Sequence, residues 1–494
     1  MHVSEFYNLG RTQPTLDFVD VDIENDTPVY IDPSTLKKLS DDWALQCMEM
    51  LGTFFYSVLD GINHGDQGRV KELLIRLQEP NETHFGLSKG KSRGRALGPY
   101  LVRRICDNLS VSRAAQSGLL EDLEDTALFI EGIGKDIVSD ITTCVIRGML
   151  ISYTQAISSM YGIDLVEGVH CGLAWDPRRR EWEETYTRLP IAGGKPLLLV
   201  PKVIVRYDLL LTKKEYFRNH LAPALLTEEA DKPTSKLVRA AKEAGRELEK
   251  RDVEEAYDGD KERMTELSQE RVELYREYKE KKKTESIKPL THAQLARATG
   301  TEPVDFDALL NTVLEIPPGS SGASRYHRAI EALFTAIFYP ALTQPVIEYP
   351  LDDGRKRVDI VYTNRDRKGF FDWLTRHGRP CSYVFVECKN YATELGNPEI
   401  DQICGRFTPS RGKVGILACR SFGDKKRFIQ RCQDVARNRN EYVIVLDDDD
   451  LRLLVDEVKL SLEPREGADG KILRDRPKPS EFRLLHERFR DLVS

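Results

Sequence analysis

Apolar positions along this chain change period several times, and each change marks an element. From Asp42 to Leu59 and from Asp136 to Met160 they recur at helical spacing. Pro196-Leu-Leu-Leu-Val-Pro-Lys-Val-Ile-Val205 is instead a nearly continuous apolar run of strand type. Trp175-Asp-Pro-Arg-Arg-Arg-Glu-Trp182 predicts a polar turn joining two strands, because Asp-Pro initiates turns and the flanks are apolar or aromatic. Residues 1–228 therefore predict an α+β domain. From about 229 to 285 the apolar positions thin out to a few, among them Leu237, Leu248, Met264, Leu267, Leu274 and Tyr278, in a background of Lys, Arg and Glu. This predicts an exposed helical pair broken near Asp258-Gly-Asp260, within a charged helical arm spanning 229–315. Pro317-Pro-Gly-Ser-Ser-Gly-Ala323 predicts a flexible joint.

Beyond the joint, over 316–494, the pattern predicts a helix from about Ser324 to Ala341 and strands around Val346, Val358 and Val384. A helix follows from Asn397-Pro398, with Asn as cap, then a strand Val414–Cys419, a basic helix Asp424–Arg439 and a strand Tyr442–Leu446. The order αβββαβαβ implies an α/β domain with a mixed sheet flanked by helices.

With 494 residues, 40% hydrophobic and 31% charged, the chain has length for several domains and apolar content for real cores. The net charge of -7 argues against a wholesale nucleic-acid coat and leaves room for a local basic groove. Nine cysteines form no CxxC pair, so they read as reduced thiols. The N-terminus lacks a signal-peptide pattern and no apolar run reaches spanning length, so the expectation is a cytoplasmic protein with no membrane partner.

Charge then interrupts two strands. In Tyr383-Val-Phe-Val-Glu-Cys-Lys-Asn390 alternation puts Glu387 and Lys389 on one face, where a buried strand should be apolar. Asp359 stands among apolar residues in Arg357-Val-Asp-Ile-Val-Tyr362. Burying unpaired charge is expensive, and a metal ion held by the carboxylates compensates it; hard oxygen ligands favour Mg2+ or Mn2+. The plainer alternative is a structural ion pair on a solvated edge strand.

Set in this element order, Asp359 and Glu387-Cys-Lys389 resemble the PD-(D/E)XK nuclease superfamily, most closely its Mrr-like restriction endonuclease branch, over roughly residues 318–460. The resemblance implies a restriction-endonuclease-like fold with Asp359 and Glu387 as metal ligands and Lys389 as the catalytic lysine, acting as base or as electrostatic stabiliser. Val358 departs from it, standing where many members have proline. Glu331 occupies the place of a helix glutamate that completes the metal site, and Gln402 matches a helix glutamine that some branches set beside the lysine.

Residues 401–440 carry ten basic side chains, Arg406, Arg411, Lys413, Arg420, Lys425, Lys426, Arg427, Arg431, Arg437 and Arg439, against Asp401, Asp424 and Asp434, a local charge of ten minus three, or +7. This suits a phosphate-binding surface, though a charge run is also what a solvated face looks like. Two segments of the first domain draw attention. Glu79–Arg95 is a basic, glycine-punctuated loop whose Lys89, Lys91, Arg93 and Arg95 suit phosphates, without Walker spacing. Asp125, Asp136 and Asp140 are weighed as a second metal centre, and helix capping by Ser139 or Asp136 is favoured over it.

The expectation is a metal-dependent DNA endonuclease of restriction or anti-phage defence, with a sensing, partner-binding or regulatory N-terminal domain. A protein partner from a defence system and a homodimer fit this expectation. A repair or recombination nuclease acting on branched DNA and a catalytically inactive binding module are the alternatives.

Overall fold

The computed structural model describes residues 1–39, 41–78, 80–86, 103–105, 107–109, 112–116, 119–232, 234–284, 288–351, 356–391, 395–462 and 481–494. Most of the basic loop Glu79–Arg95, including all four of its cations, lies outside them. The fold is mixed α/β, and its contacts divide into two compact units. The first comprises Met1–Phe6, Val21–Val200 and Ile204–Leu290; the second comprises Tyr7–Asp20, Pro201–Val203 and Thr291–Ser494.

In the first unit Asp41 caps a helix over Asp42–Asn63 through the Ala44 amide. The apolar pattern from Asp136 to Met160 becomes two helices, Lys135–Val145 and Arg147–Tyr161, separated at Ile146. Strands Val166–Asp176 and Glu181–Leu189 form the expected hairpin, closed by a Trp175–Trp182 pair whose rings meet Phe54 edge-on. The run 196–205 is not one strand. Pro201 brings no amide to a ladder, and the Leu198 and Leu199 amides go to Glu82 O and Thr154 Oγ1.

The charged stretch after 229 differs from an exposed arm. It forms helices Lys236–Glu243, Lys250–Tyr257, Lys261–Gln269 and Val272–Thr284, breaking where Asp258-Gly-Asp260 predicts, and it packs into the first unit. Four of its apolar residues, Met264, Leu267, Tyr275 and Tyr278, are buried, while Leu237, Leu248 and Leu274 are half-buried. Lys279 is buried with them and bonds Glu121, Asp122 and Asp125, while Tyr275 donates to Asp125 at 2.6 Å. Asp125 is thereby satisfied by a lysine and a phenol, which removes the need for a metal there.

The second unit is built on a mixed five-stranded sheet. We number its strands β1 (Leu342–Leu351), β2 (Lys356–Asn364), β3 (Tyr383–Lys389), β4 (Val414–Cys419) and β5 (Tyr442–Leu446), in spatial order 5-4-3-2-1. β1–β2 and β2–β3 are antiparallel, and β3–β4 and β4–β5 are parallel. The parallel half is apolar throughout, as burial on both faces demands. Helix Phe370–Arg376 enters between β2 and β3, so the order is αββαβαβαβ rather than αβββαβαβ. Asp366 organises its start by accepting the Lys368, Gly369, Phe371 and Asp372 amides. Gly396, not Asn397, is the cap of helix Asn397–Cys404.

Candidate active site

The register of β2 on β3 runs from Thr363↔Tyr383 to Ile360↔Val386, and one further step sets Asp359 opposite Glu387. The side chain of Asp359 substitutes for the ladder at this end: its Oδ2 accepts the Cys388 amide at 2.8 Å. Two carboxylates thus meet where the antiparallel strands part. Their mutual charge is visible in Glu387, whose carboxyl burial raises to about 7, with Asp359 adding to the rise and Lys389 and Arg406 opposing it.

Lys389 lies on the same face, Nζ 3.4 Å from Glu387 Oε2. Gln402 ties the two together, accepting from Lys389 Nζ at 2.8 Å and donating to Glu387 Oε2 at 2.9 Å. It is carried there by helix Asn397–Cys404, whose Ile400 and Ile403 are buried. That helix lies so close to β4 that a Cβ at Gly415 would fall 2.6 Å from Ile403 Cδ1. Arg406 extends the site, Nε 3.9 Å from Glu387 Oε1. Glu387 is 0% exposed and that oxygen has no hydrogen-bond partner, while the Asp359 side chain is 21% exposed and forms the open side.

The loop expected to be a joint is stapled to the end of β3 instead. Asn390 Nδ2 donates to Pro317 O and Gly319 O, both at 2.9 Å, and its carbonyl accepts the Gly319 amide. This fixes the entry of helix Ala323–Phe338, which packs on the opposite sheet face: Tyr362 and Val384 share that face, and the Tyr362 hydroxyl donates to Glu331 O.

Glu331 consequently does not join Asp359 and Glu387. Its carboxylate, 0% exposed, pairs with Arg11 Nη2 at 2.5 Å and accepts from Thr335 Oγ1 at 2.9 Å. Burial pushes this carboxyl up and the Arg11 guanidinium opposes the rise. A glutamate already neutralised by the Arg11 guanidinium has no call for a cation, which corrects its expected role as a metal ligand. One turn earlier on the helix, a residue that pattern reasoning passed over does reach the site. His327 Nε2 is 3.1 Å from Cys388 O and 3.7 Å from Asp359 Oδ2. A carbonyl only accepts, so Nε2 carries the proton and donates. The only signal in the sequence is the four-residue offset from Glu331, which places both on one helix face.

The basic run scatters. Arg420 is buried, donating to Val313 O and Leu314 O and pairing with Asp448. Lys425 binds Asp447 at 2.7 Å and Asp450 at 2.8 Å, so it is not a free phosphate contact as expected. Arg411, Lys413 and Arg431 are half-buried, while Lys426, Arg427, Arg437 and Arg439 are exposed.

Among the described residues no three His, Cys, Asp or Glu side chains gather to hold a metal. The two carboxylates of Asp359 and Glu387, one with a buried oxygen that accepts no hydrogen bond, still fit a hard divalent ion that would take its remaining ligands from water. A cavity of about 690 Å³ beside Trp373, His377, His486 and Phe489 shares no residue with this cluster.

A family model described as "Domain of unknown function (DUF8370)" matches residues 8–212. No curated protein and no solved structure matches the chain.

Proposed function

We propose that the five-stranded unit is a restriction-endonuclease-like module of the PD-(D/E)XK type, which hydrolyses DNA phosphodiester bonds with Mg2+ or Mn2+ in restriction or anti-phage defence. The observation that carries this reading is the meeting of Asp359 and Glu387 at the parted ends of β2 and β3, with Lys389 bound to Glu387 and Gln402 on the same face. Asp359 and Glu387 would hold a divalent ion, which would supply water activation near neutral pH and offset charge on the phosphate.

The chain's own groups do the rest. Gln402 holds the Lys389 ammonium beside Glu387, where it steadies negative charge building on a phosphate oxygen. His327, whose Nε2–H bonds the Cys388 carbonyl, sets its imidazole beside Asp359 on the open side of the cluster. Lys426 and Arg427, exposed at the start of helix Lys425–Arg439, offer cations to the DNA backbone, an interaction that weakens with salt.

The test incubates plasmid DNA with wild-type and Asp359→Ala protein, with and without Mg2+. The proposal expects cutting by the wild type in Mg2+ alone and a loss of about 10²–10³-fold or more in the variant. DNA bound but never cut, with binding abolished by Lys426→Glu/Arg427→Glu, would replace it with an inactive binding module. Selective cutting of four-way over plain duplex DNA would replace the defence setting with repair.

A further inference from the structure

We infer that Arg11 is a positioning residue for the candidate site: it fixes the turn of helix Ala323–Phe338 that holds the His327 imidazole on the Cys388 carbonyl beside Asp359. The inference rests on the reading of Asp359 and Glu387 as the reacting centre. It concerns a residue more than three hundred positions away in the chain.

Arg11 Nη2 lies 3.3 Å from Arg328 O and 2.5 Å from the Glu331 carboxylate. These two groups bracket the turn immediately after His327, so one guanidinium nitrogen bonds both the backbone and a side chain of that turn. Neutralising Glu331 requires only a charge; the contact with Arg328 O is what a positioning role adds.

The grip is anchored, since the segment carrying Arg11 is itself locked in place. Gln13 donates to Phe18 O at 2.9 Å and accepts the Asp20 amide at 2.8 Å. Lys202, fully buried, donates its Nζ to Pro14 O and its amide to Asp17 O. Asp17 Oδ1 in turn accepts the Gln344 amide of β1 at 2.9 Å. The strap thus ties the sheet edge to the helix, and its two pieces, Tyr7–Asp20 and Pro201–Val203, count with the sheet unit by their contacts. Nearly all of the strap falls within the stretch matched as DUF8370, so that region furnishes part of the frame behind the site.

The experiment uses the full chain and the ring 1H–15N signals of its histidines, with His327 assigned by its loss in His327→Gln. Arg11→Gln/Glu331→Gln removes both charges together and avoids stranding a buried carboxylate. In that variant the His327 Nε2 signal is expected to shift and broaden while that of His292, bonded to Ala336 O of the same helix, stays in place. The kcat for DNA cleavage should drop about tenfold at unchanged KM, a loss of the size expected from misplacing one group. An unchanged His327 signal and kcat would reduce Arg11 to a charge neutraliser and overturn the inference. If the double variant does not fold, Arg11→Met/Glu331→Met replaces the pair with apolar groups of similar length, and the same two outcomes decide. A wild type that never cuts DNA defeats the nuclease reading, whereas the ring signals still report whether Arg11 holds His327.

Discussion

Gln402 is the residue on which the site's geometry turns, because a single amide bonds both Lys389 and Glu387. Gln402→Leu leaves two buried charges facing each other without their shared partner. We expect it to cut DNA cleavage by about 10–100-fold with little change in DNA affinity, checked by single-turnover rates beside filter binding. His292 gives a separate prediction about stability. Burial, reinforced by the charge of Lys202, holds this imidazole down to about 3 against an ordinary 6.5. The unfolded chain takes up the proton near 6.5 and the folded chain does not, so acid favours unfolding. The contribution of His292 is complete above pH 6.5 and is lost as pH falls toward 3, by up to about 1.4 kcal/mol per pH unit. Urea unfolding across that window should show this slope in the wild type and a flatter one in His292→Gln.

At the scale of elements, the close approach of helix Asn397–Cys404 to β4 is what carries Gln402 to the lysine. Gly415→Ala drives a methyl into Ile403 and Phe407, and we expect a loss of about 1–3 kcal/mol together with slower cleavage, because the helix must move. Calorimetry and cleavage rates on the same preparation check the coupling. Much of this level was legible beforehand. Alternation in β3 put Glu387 and Lys389 on one face, and the element order implied a mixed sheet flanked by helices. What the pattern did not carry were contacts between distant segments. Glu331 reads like any acid on an amphipathic helix until Arg11 arrives from the N-terminal segment to neutralise it. Helix Phe370–Arg376 was lost in a short aromatic run, since its start depends on four amides gathered by Asp366. The strand expected over 196–205 failed because its amides bond loops and a threonine side chain, which no local propensity encodes.

For the whole molecule, the division of labour differs from a string of independent modules. The charged stretch after 229 packs into the first unit through inward aromatic, leucine and methionine side chains together with the buried Lys279, so its charge-rich composition does not mark an exposed arm. The sheet unit in turn includes two short segments drawn from the matched region of unknown function. Among the described residues no helix is long and apolar enough to cross a membrane. On the reading proposed above, Asp359 and Glu387 together hold one divalent ion instead of forming a structural ion pair with Lys389. Equilibrium titration of the DNA-free protein with Mn2+, read by calorimetry, addresses it directly. One site is expected in the wild type, weakened by about tenfold or more in both Asp359→Asn and Glu387→Gln, since removing either hard ligand disrupts the pair. Mn2+ affinity unchanged in both variants, or no binding by the wild type, would contradict it.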